Sequence, residues 1–242
     1  MIRRLITFTC TLMTLCGLFG SLPTVASAQE ATLQEVVAAL EQGYAGLKDM
    51  QASFSQTTTL PGLPKPQKGQ GELYLRRPEQ GAAQFRFDYK KPKQLIVSNG
   101  KQVWFYQPEN RQVIVTSMET MLKNGGSLAM SYLTGLGNVS RDFTVAFAKP
   151  ARDRQNNYII DLTPRKPSPA LAKLRLAISN KAVEKQRATG TATAGFPIIF
   201  SVVMDAHGTE TRIEYSKVRT NSGLSAGRFS FKAPEGAEII QQ

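Results

Sequence analysis

Few residues in this chain have the type and spacing to do chemistry. The single histidine, His207, sits in Asp205-Ala-His-Gly208, a pattern that reads as a hairpin turn. The two cysteines, Cys10 and Cys16, both fall within an apolar N-terminal run. Downstream there is no thiol and no second histidine, so a zinc site or a histidine-based triad is hard to build. Ser98-Asn-Gly-Lys101 matches the Ser-x-x-Lys pattern of penicillin-interacting enzymes, whose serine opens a helix. Here both residues flank a tight turn, and neither Ser-Asp-Asn nor Lys-Thr-Gly occurs, so the match reads as chance. The 18 acidic residues make a carboxylate pair arithmetically available, but no spacing selects one. The residues thus assign no catalytic group, no metal ligand and no cofactor. A hydrolase of envelope polymers and a structural envelope protein remain as rival classes to a binding protein.

The chain opens Met1-Ile-Arg3-Arg4, runs apolar or neutral from Leu5 to Leu22, and reaches Ala26-Ser-Ala28 before Gln29-Glu30. A short positive start, an apolar run and an Ala-x-Ala site predict a secretory signal peptide cleaved after Ala28. An uncleaved anchor is the competing reading, since the run nearly spans a bilayer. Arg3-Arg4 is a poor twin-arginine signal without a cofactor motif behind it, and Leu15 is too large to precede a lipid-bearing Cys16. Removing residues 1–28 of 242 leaves about 214, enough for a single domain over 29–242 that stands on its core without disulfides. The net charge falls from +12 to +10 with the loss of Arg3 and Arg4. The remaining Lys and Arg are spread from Lys48 to Lys232 rather than gathered on an arm, which argues against nucleic acid. For an exported protein the charge suits anionic membrane surfaces, acidic partners or simple solubility.

The elements that must position any site are mostly strands. Thr32-Leu-Gln-Glu35 is a capping box, and Leu33, Val36, Val37, Leu40, Tyr44 and Leu47 form one stripe on a helix over 32–48. Strand-like runs follow at 52–59, 71–76, 84–89, 94–98, 101–107, 112–117, 143–148, 158–163, 174–179, 198–204, 209–218 and 228–231. Turn signals separate them, among them Leu60-Pro-Gly-Leu-Pro-Lys-Pro66, Lys91-Pro92 and Asn99-Gly100. Roughly a dozen strands imply a large antiparallel sheet, a sandwich or a barrel. The Thr/Ala-rich stretch 188–195 reads as a loop.

One segment breaks this rhythm. Met118–Leu122 and Ser127–Leu136 read as two short helices hinged on Gly125-Gly126, with Met118, Met121 and Met130 among them. Two readings stay open: a core helix, or a movable lid whose methionines repack around variable ligands.

The strand Val103-Trp-Phe-Tyr106 is apolar on both faces, unlike a sheet with one wet side. A two-residue turn at Asn99-Gly100 pairs Ser98 with Lys101, Ile96 with Val103 and Leu95 with Trp104. A second turn at Glu109-Asn110 pairs Tyr106 with Val113 and Trp104 with Val115. One face then carries Leu95, Val97, Trp104, Tyr106, Val113 and Val115, and the other Ile96, Val103, Phe105 and Ile114. By the same period Phe85, Phe87 and Tyr89 share a face. Such aromatics line either a packed core or a ligand cavity in a wide open sheet.

With these motifs in order, the chain resembles the LolA family of periplasmic outer-membrane lipoprotein carriers. The resemblance rests on Ala52-Ser-Phe-Ser-Gln56 after an amphipathic helix, Gly71-Glu-Leu-Tyr-Leu-Arg-Arg77-Pro78, Phe85-Arg-Phe87 and Leu95-Ile-Val-Ser-Asn-Gly-Lys101. It continues through Val103-Trp-Phe-Tyr-Gln-Pro108 to Phe229-Ser-Phe-Lys-Ala-Pro-Glu-Gly236, covering nearly all the mature chain. It implies a mainly β fold: an incomplete antiparallel β-barrel of about 11–12 strands with a helical lid over a hydrophobic cavity. It also implies a monomeric, non-enzymatic chaperone without cofactor, working in the periplasm. Such a carrier accepts acylated lipoproteins from an inner-membrane ABC-type releasing complex and passes them to an outer-membrane lipoprotein receptor; the alternative within the same open-barrel fold is a periplasmic carrier or sensor of another lipid. The resemblance makes Arg77 the latch that hydrogen-bonds lid carbonyls. It makes Phe54, Tyr74, Phe87, Leu95, Trp104, Tyr106, Met121, Tyr132 and Leu136 candidates for the cavity wall. The segments 60–66, 78–83 and 188–195 and the basic charge depart from the family pattern.

Overall fold

Runs rich in β-branched and aromatic residues become strands because such side chains pack well on a pleated surface. The computed structural model describes residues 30–123, 139–166, 169–191 and 195–242. Its strands are β1 (Asp49–Thr59), β2 (Gln67–Arg76), β3 (Gln84–Lys91), β4 (Gln94–Ser98), β5 (Gln102–Gln107) and β6 (Gln112–Ser117). They continue as β7 (Phe143–Arg152), β8 (Tyr158–Pro164), β9 (Lys173–Ile178), β10 (Ile198–Met204), β11 (Glu210–Thr220) and β12 (Glu238–Gln241). All twelve join one sheet in the order β12-β6-β5-β4-β3-β2-β1-β11-β10-β9-β8-β7. Neighbours are antiparallel except β12, which runs parallel to β6. Because β12 and β7 are the two edges and do not pair, the sheet stays open, as expected of an incomplete barrel. Residues Ala31–Gln242 form one compact unit.

Four α-helices accompany the sheet among the described residues: α1 (Leu33–Ala45), α2 (Met118–Lys123), α3 (Val139–Asp142) and α4 (Asn180–Thr189). The expected capping box opens α1, with Thr32 N–H donating to Glu35 Oε2 at 2.7 Å and Glu35 N–H to Thr32 Oγ1 at 3.3 Å. Its stripe of Val36, Val37, Leu40 and Tyr44 is buried in the main core. The approach is close: a Cβ on Gly43 would lie 2.9 Å from the Gly195 carbonyl oxygen, so glycine is what lets this helix seat.

Two expectations need correcting and one helix is unforeseen. Residues 228–231 are not a strand. A 3-10 turn at Ala226–Phe229 begins an irregular segment, and the twelfth strand is β12, whose short run carried little alternation. Helix α4 was not anticipated, because its only buried residue is Val183 and it has no apolar stripe to read. The β4–β5 connection is longer than a two-residue turn. Ser98 pairs with Val103, Ile96 with Phe105 and Leu95 with Tyr106. The Asn99 side-chain oxygen accepts from the N–H groups of Lys101 and Gln102 at 2.9 and 2.8 Å, which stabilises the wider loop. The shift is two residues, an even number, so the facing of every side chain is unchanged.

Candidate functional site

Register decides which side chains share a face. Phe54 lies beside Gly71, Leu73 beside Phe87, Leu75 beside Phe85, Phe87 beside Ile96, and Ile96 beside Phe105. This inner face is the one covered by α1 and α2. Phe54, Leu73, Leu75, Phe85, Phe87 and Val103 are buried with Leu40, Tyr44 and Met121, and Tyr89, Ile96, Phe105 and Met118 pack partly exposed against them. Phe54 meets Phe87 and Tyr89 edge-on at 5.4 and 4.8 Å between ring centroids, a favoured geometry. The result is an aromatic and aliphatic wall with soft methionine contacts along one side.

Two polar handles break that wall. Tyr89 donates to Gln56 Oε1 at 2.8 Å, and burial pushes its hydroxyl up to about 12. The Tyr44 hydroxyl is buried without a hydrogen-bond partner among the described residues. Burial above all, then the neighbouring Tyr215, raises it well above its ordinary value, against the opposing charge of Arg77. The Tyr44 ring packs against Phe196, which meets Tyr215 edge-on at 5.0 Å. At the other side of α1 a groove of about 310 Å³ runs between that helix and β7, floored by Leu33, Val37, Phe143 and Val145. Glu41 spans its edge, accepting from Ser140 N–H at 2.9 Å and Ser140 Oγ at 3.0 Å.

The opposite, outer face carries Tyr74, Leu95, Trp104, Tyr106, Val97, Val113 and Val115. It is covered by the chain's own C-terminal segment. Phe231 packs 6.3 Å from Trp104 and 5.7 Å from Tyr106, Arg228 lies 4.4 Å over the Tyr74 ring, and Phe229 is fully buried. Arg86 donates to the Arg228 carbonyl at 3.3 Å. The segment is anchored at its start by Asp49. The Asp49 carboxylate accepts from Ser222 N–H at 2.8 Å, Ser222 Oγ at 3.1 Å, Gly223 N–H at 2.9 Å and Leu224 N–H at 3.3 Å.

The sequence-expected site residues therefore do not form one cavity. Phe54, Phe87 and Met121 lie on the inner side, whereas Tyr74, Leu95, Trp104 and Tyr106 lie on the outer side under the C-terminal segment. The physical reason is that a strand apolar on both faces serves two layers, and Trp104 meets its own chain. Tyr132 and Leu136 lie outside the described residues, as does the Gly125-Gly126 hinge. The half-buried Arg77 donates through Nη1 to the Tyr44 carbonyl near the C-terminal end of α1, rather than to the 118–136 segment expected to be the lid, and its N–H donates to Lys48 O at 2.7 Å. Sequence reasoning missed Phe105 and Tyr44 as parts of the inner wall, whereas Met118 was among the methionines of the lid reading. The alternation Leu73, Leu75, Phe85, Phe87, Tyr89 was the available signal, since it shares a face with Phe105 through β4. Ser98 is buried and its Oγ accepts from Gly100 N–H at 3.1 Å within the turn, and His207 is exposed on the β10–β11 turn. No group of three metal-ligating side chains occurs among the described residues.

The family model described as outer membrane lipoprotein carrier protein LolA matches residues 45–232. A protein of Leptothrix cholodnii named outer-membrane lipoprotein carrier protein is 30% identical over 207 residues, covering 85% of each chain. One of the same name from Chromohalobacter salexigens is 26% identical over 223 residues, covering 92% of each. The crystal structure of a LolA superfamily protein from Nitrosomonas europaea aligns at 13% identity with a TM-score of 0.43, over 84% of this chain and 99% of that one.

Proposed function

The chain belongs to the LolA family of outer membrane lipoprotein carrier proteins, and on that footing we propose that it shelters lipoprotein acyl chains against the inner face of its sheet. The protein is a binding chaperone and not an enzyme. The observation that carries the reading is the inner wall itself: Phe54, Phe87, Ile96 and Phe105 with Met118 and Met121, one apolar surface on an open sheet covered by helices. An acyl chain loses roughly 0.8 kcal/mol for every CH₂ left in water, so a lipoprotein needs such a surface to leave a membrane. Rigid aromatics supply area, and methionine side chains adapt to chains of different length.

The work belongs in the periplasm. Arg3-Arg4, the apolar run and Ala26-Ser-Ala28 support export with cleavage after Ala28. The cargo comes from an inner-membrane ABC-type releasing complex and goes to an outer-membrane receptor. Arg77 acts as a latch: its planar guanidinium, permanently charged, holds the C-terminal end of α1 by the Tyr44 carbonyl and so keeps that helix over the wall.

The test is native mass spectrometry of the mature protein purified from the periplasm without detergent, run beside a release assay on spheroplasts. A monomer that carries or releases a triacylated lipoprotein is the expected outcome. A ligand-free protein that releases none returns the inner face to an ordinary packed core.

A further inference from the structure

Adjacent antiparallel strands bring alternate turns to the same end of a sheet. Thr59 at the end of β1 pairs with Glu210, Gln70 with Lys91, and Gln107 with Gln112. The β1–β2, β3–β4, β5–β6 and β10–β11 connections therefore share one end, opposite to Arg77 and the α1–β1 junction. In the β1–β4 sector this end is strongly cationic. Lys65, Lys68, Lys90, Lys91 and Lys93 are all exposed. The carboxylate set among them, Glu72, is already paired with Lys90 at 3.0 Å. On the adjoining turn the Asp205 carboxylate is occupied by the N–H groups of His207 and Thr209 at 2.9 and 2.8 Å. Glu210 shares an outer-face groove with Lys173 and Arg175. Lys65, Lys68, Lys91 and Lys93 form no salt bridge among the described residues.

At the apex of the same end stands a large apolar side chain. Leu63 is 51% exposed. It closes a turn in which its N–H donates to the Leu60 carbonyl at 3.2 Å, with Pro61 at the second position and Gly62 at φ +81° in the third. That is the geometry of a type II turn, which a Pro-Gly pair pre-sets. Pro61, Pro64 and Pro66 restrict the remaining dihedrals. Pro61 also leans on the β10–β11 turn, 3.3 Å from where a Gly208 Cβ would sit. The loop thus holds a leucine outward with little conformational freedom left to lose, at the end of the sheet that also carries these lysines.

We propose that this end of the sheet is a docking surface for an anionic lipid bilayer. Leu63 enters the boundary between headgroups and acyl chains, and Lys65, Lys68, Lys91 and Lys93 lay their methylene stems along it with their ammonium groups among the phosphates. An acidic protein would match the lysines but gives no reason for a rigid, protruding leucine. A bilayer accounts for both. The contact is weak and reversible, since one leucine and four lysines fall well short of a stable anchor. The surface is independent of the inner wall and of the carrier reading.

The experiment is flotation of the purified mature protein with vesicles, free of any lipoprotein, made from phosphatidylethanolamine with or without phosphatidylglycerol. The expected result is binding to the anionic vesicles alone, weakened by added salt because exposed charges are screened. Leu63→Asp should lower the partition roughly tenfold. Lys65→Gln, Lys68→Gln, Lys91→Gln and Lys93→Gln together should reduce it to the level on neutral vesicles. Circular dichroism and the spheroplast release assay check that each variant is folded. Absence of binding to anionic vesicles overturns the proposal. So does equal binding to neutral vesicles, and so does wild-type binding by both variants. A failure here leaves the release assay untouched, so the two ideas stand or fall separately.

Discussion

Asp49 shows how one side chain can hold two distant parts of the chain. It is 5% exposed, and its carboxylate gathers three backbone N–H groups and a hydroxyl from residues 222–224. Burial works to raise its pKa, but the bonds from Ser222, Gly223 and Leu224 together outweigh it and hold the group below its ordinary 3.8. A depressed carboxylate contributes stability that is complete above its unfolded value and is lost as pH falls through its folded one. Asp49→Asn should therefore cost about 1.5–3 kcal/mol at neutral pH, the range for hydrogen bonds to a charged group. Urea unfolding at pH 7 and below pH 4 checks this, with the difference between variant and wild type shrinking at the acid end. Arg77 is a second single-residue test. Arg77→Leu should leave cargo uptake intact but slow transfer to receptor membranes, because α1 loses the donor that holds its end. Transfer at the wild-type rate removes the latch assignment.

The C-terminal segment decides what the outer face is for. Phe229 is fully buried, and Phe229→Ala should cost about 3–5 kcal/mol as a deleted core aromatic. Phe231→Ala should cost less, since Phe231 is only half-buried. It should also shift the emission of Trp104 to the red, and Trp104 is the one tryptophan in the chain. An unchanged spectrum would mean that water already reaches the indole. This element also marks the limit of what the sequence disclosed. Eleven strands were legible because each is a run rich in β-branched and aromatic residues bounded by its own turn signal. The run 228–231 was read as a strand because Phe-x-Phe alternates like one, while its partner, β5, lies far away in the chain. Helix α4 was illegible for the opposite reason, having a single buried residue. Local pattern reports which residues seek burial, and it does not report against what.

At the scale of the molecule, an open sheet has two faces, and in this chain both are apolar around β5. The candidate wall was half legible for that reason: Phe54, Phe87 and Met121 belong to it, and Trp104, Tyr106, Leu95 and Tyr74 do not. Around β5 the outer face is filled by the chain itself, with Phe229 and Phe231 on it, so this part of it gains no cargo without peeling the segment away from Asp49. The inner face is covered by α1 and α2, helices whose link to the sheet includes the Arg77 bond. Adjacent residues on β5 separate the two faces cleanly, because Trp104 points outward and Phe105 inward. A photo-crosslinking amino acid, p-benzoylphenylalanine, in place of Phe105 should capture the acyl chains of bound lipoprotein. The same substitution at Trp104 should capture none and should instead link β5 to the C-terminal segment. Both replaced side chains are half-buried aromatics, so a failure to fold at one position would be expected at the other and is visible by circular dichroism. Cargo captured from position 104 would reverse the assignment of faces and make the C-terminal segment, rather than α1, the part that opens.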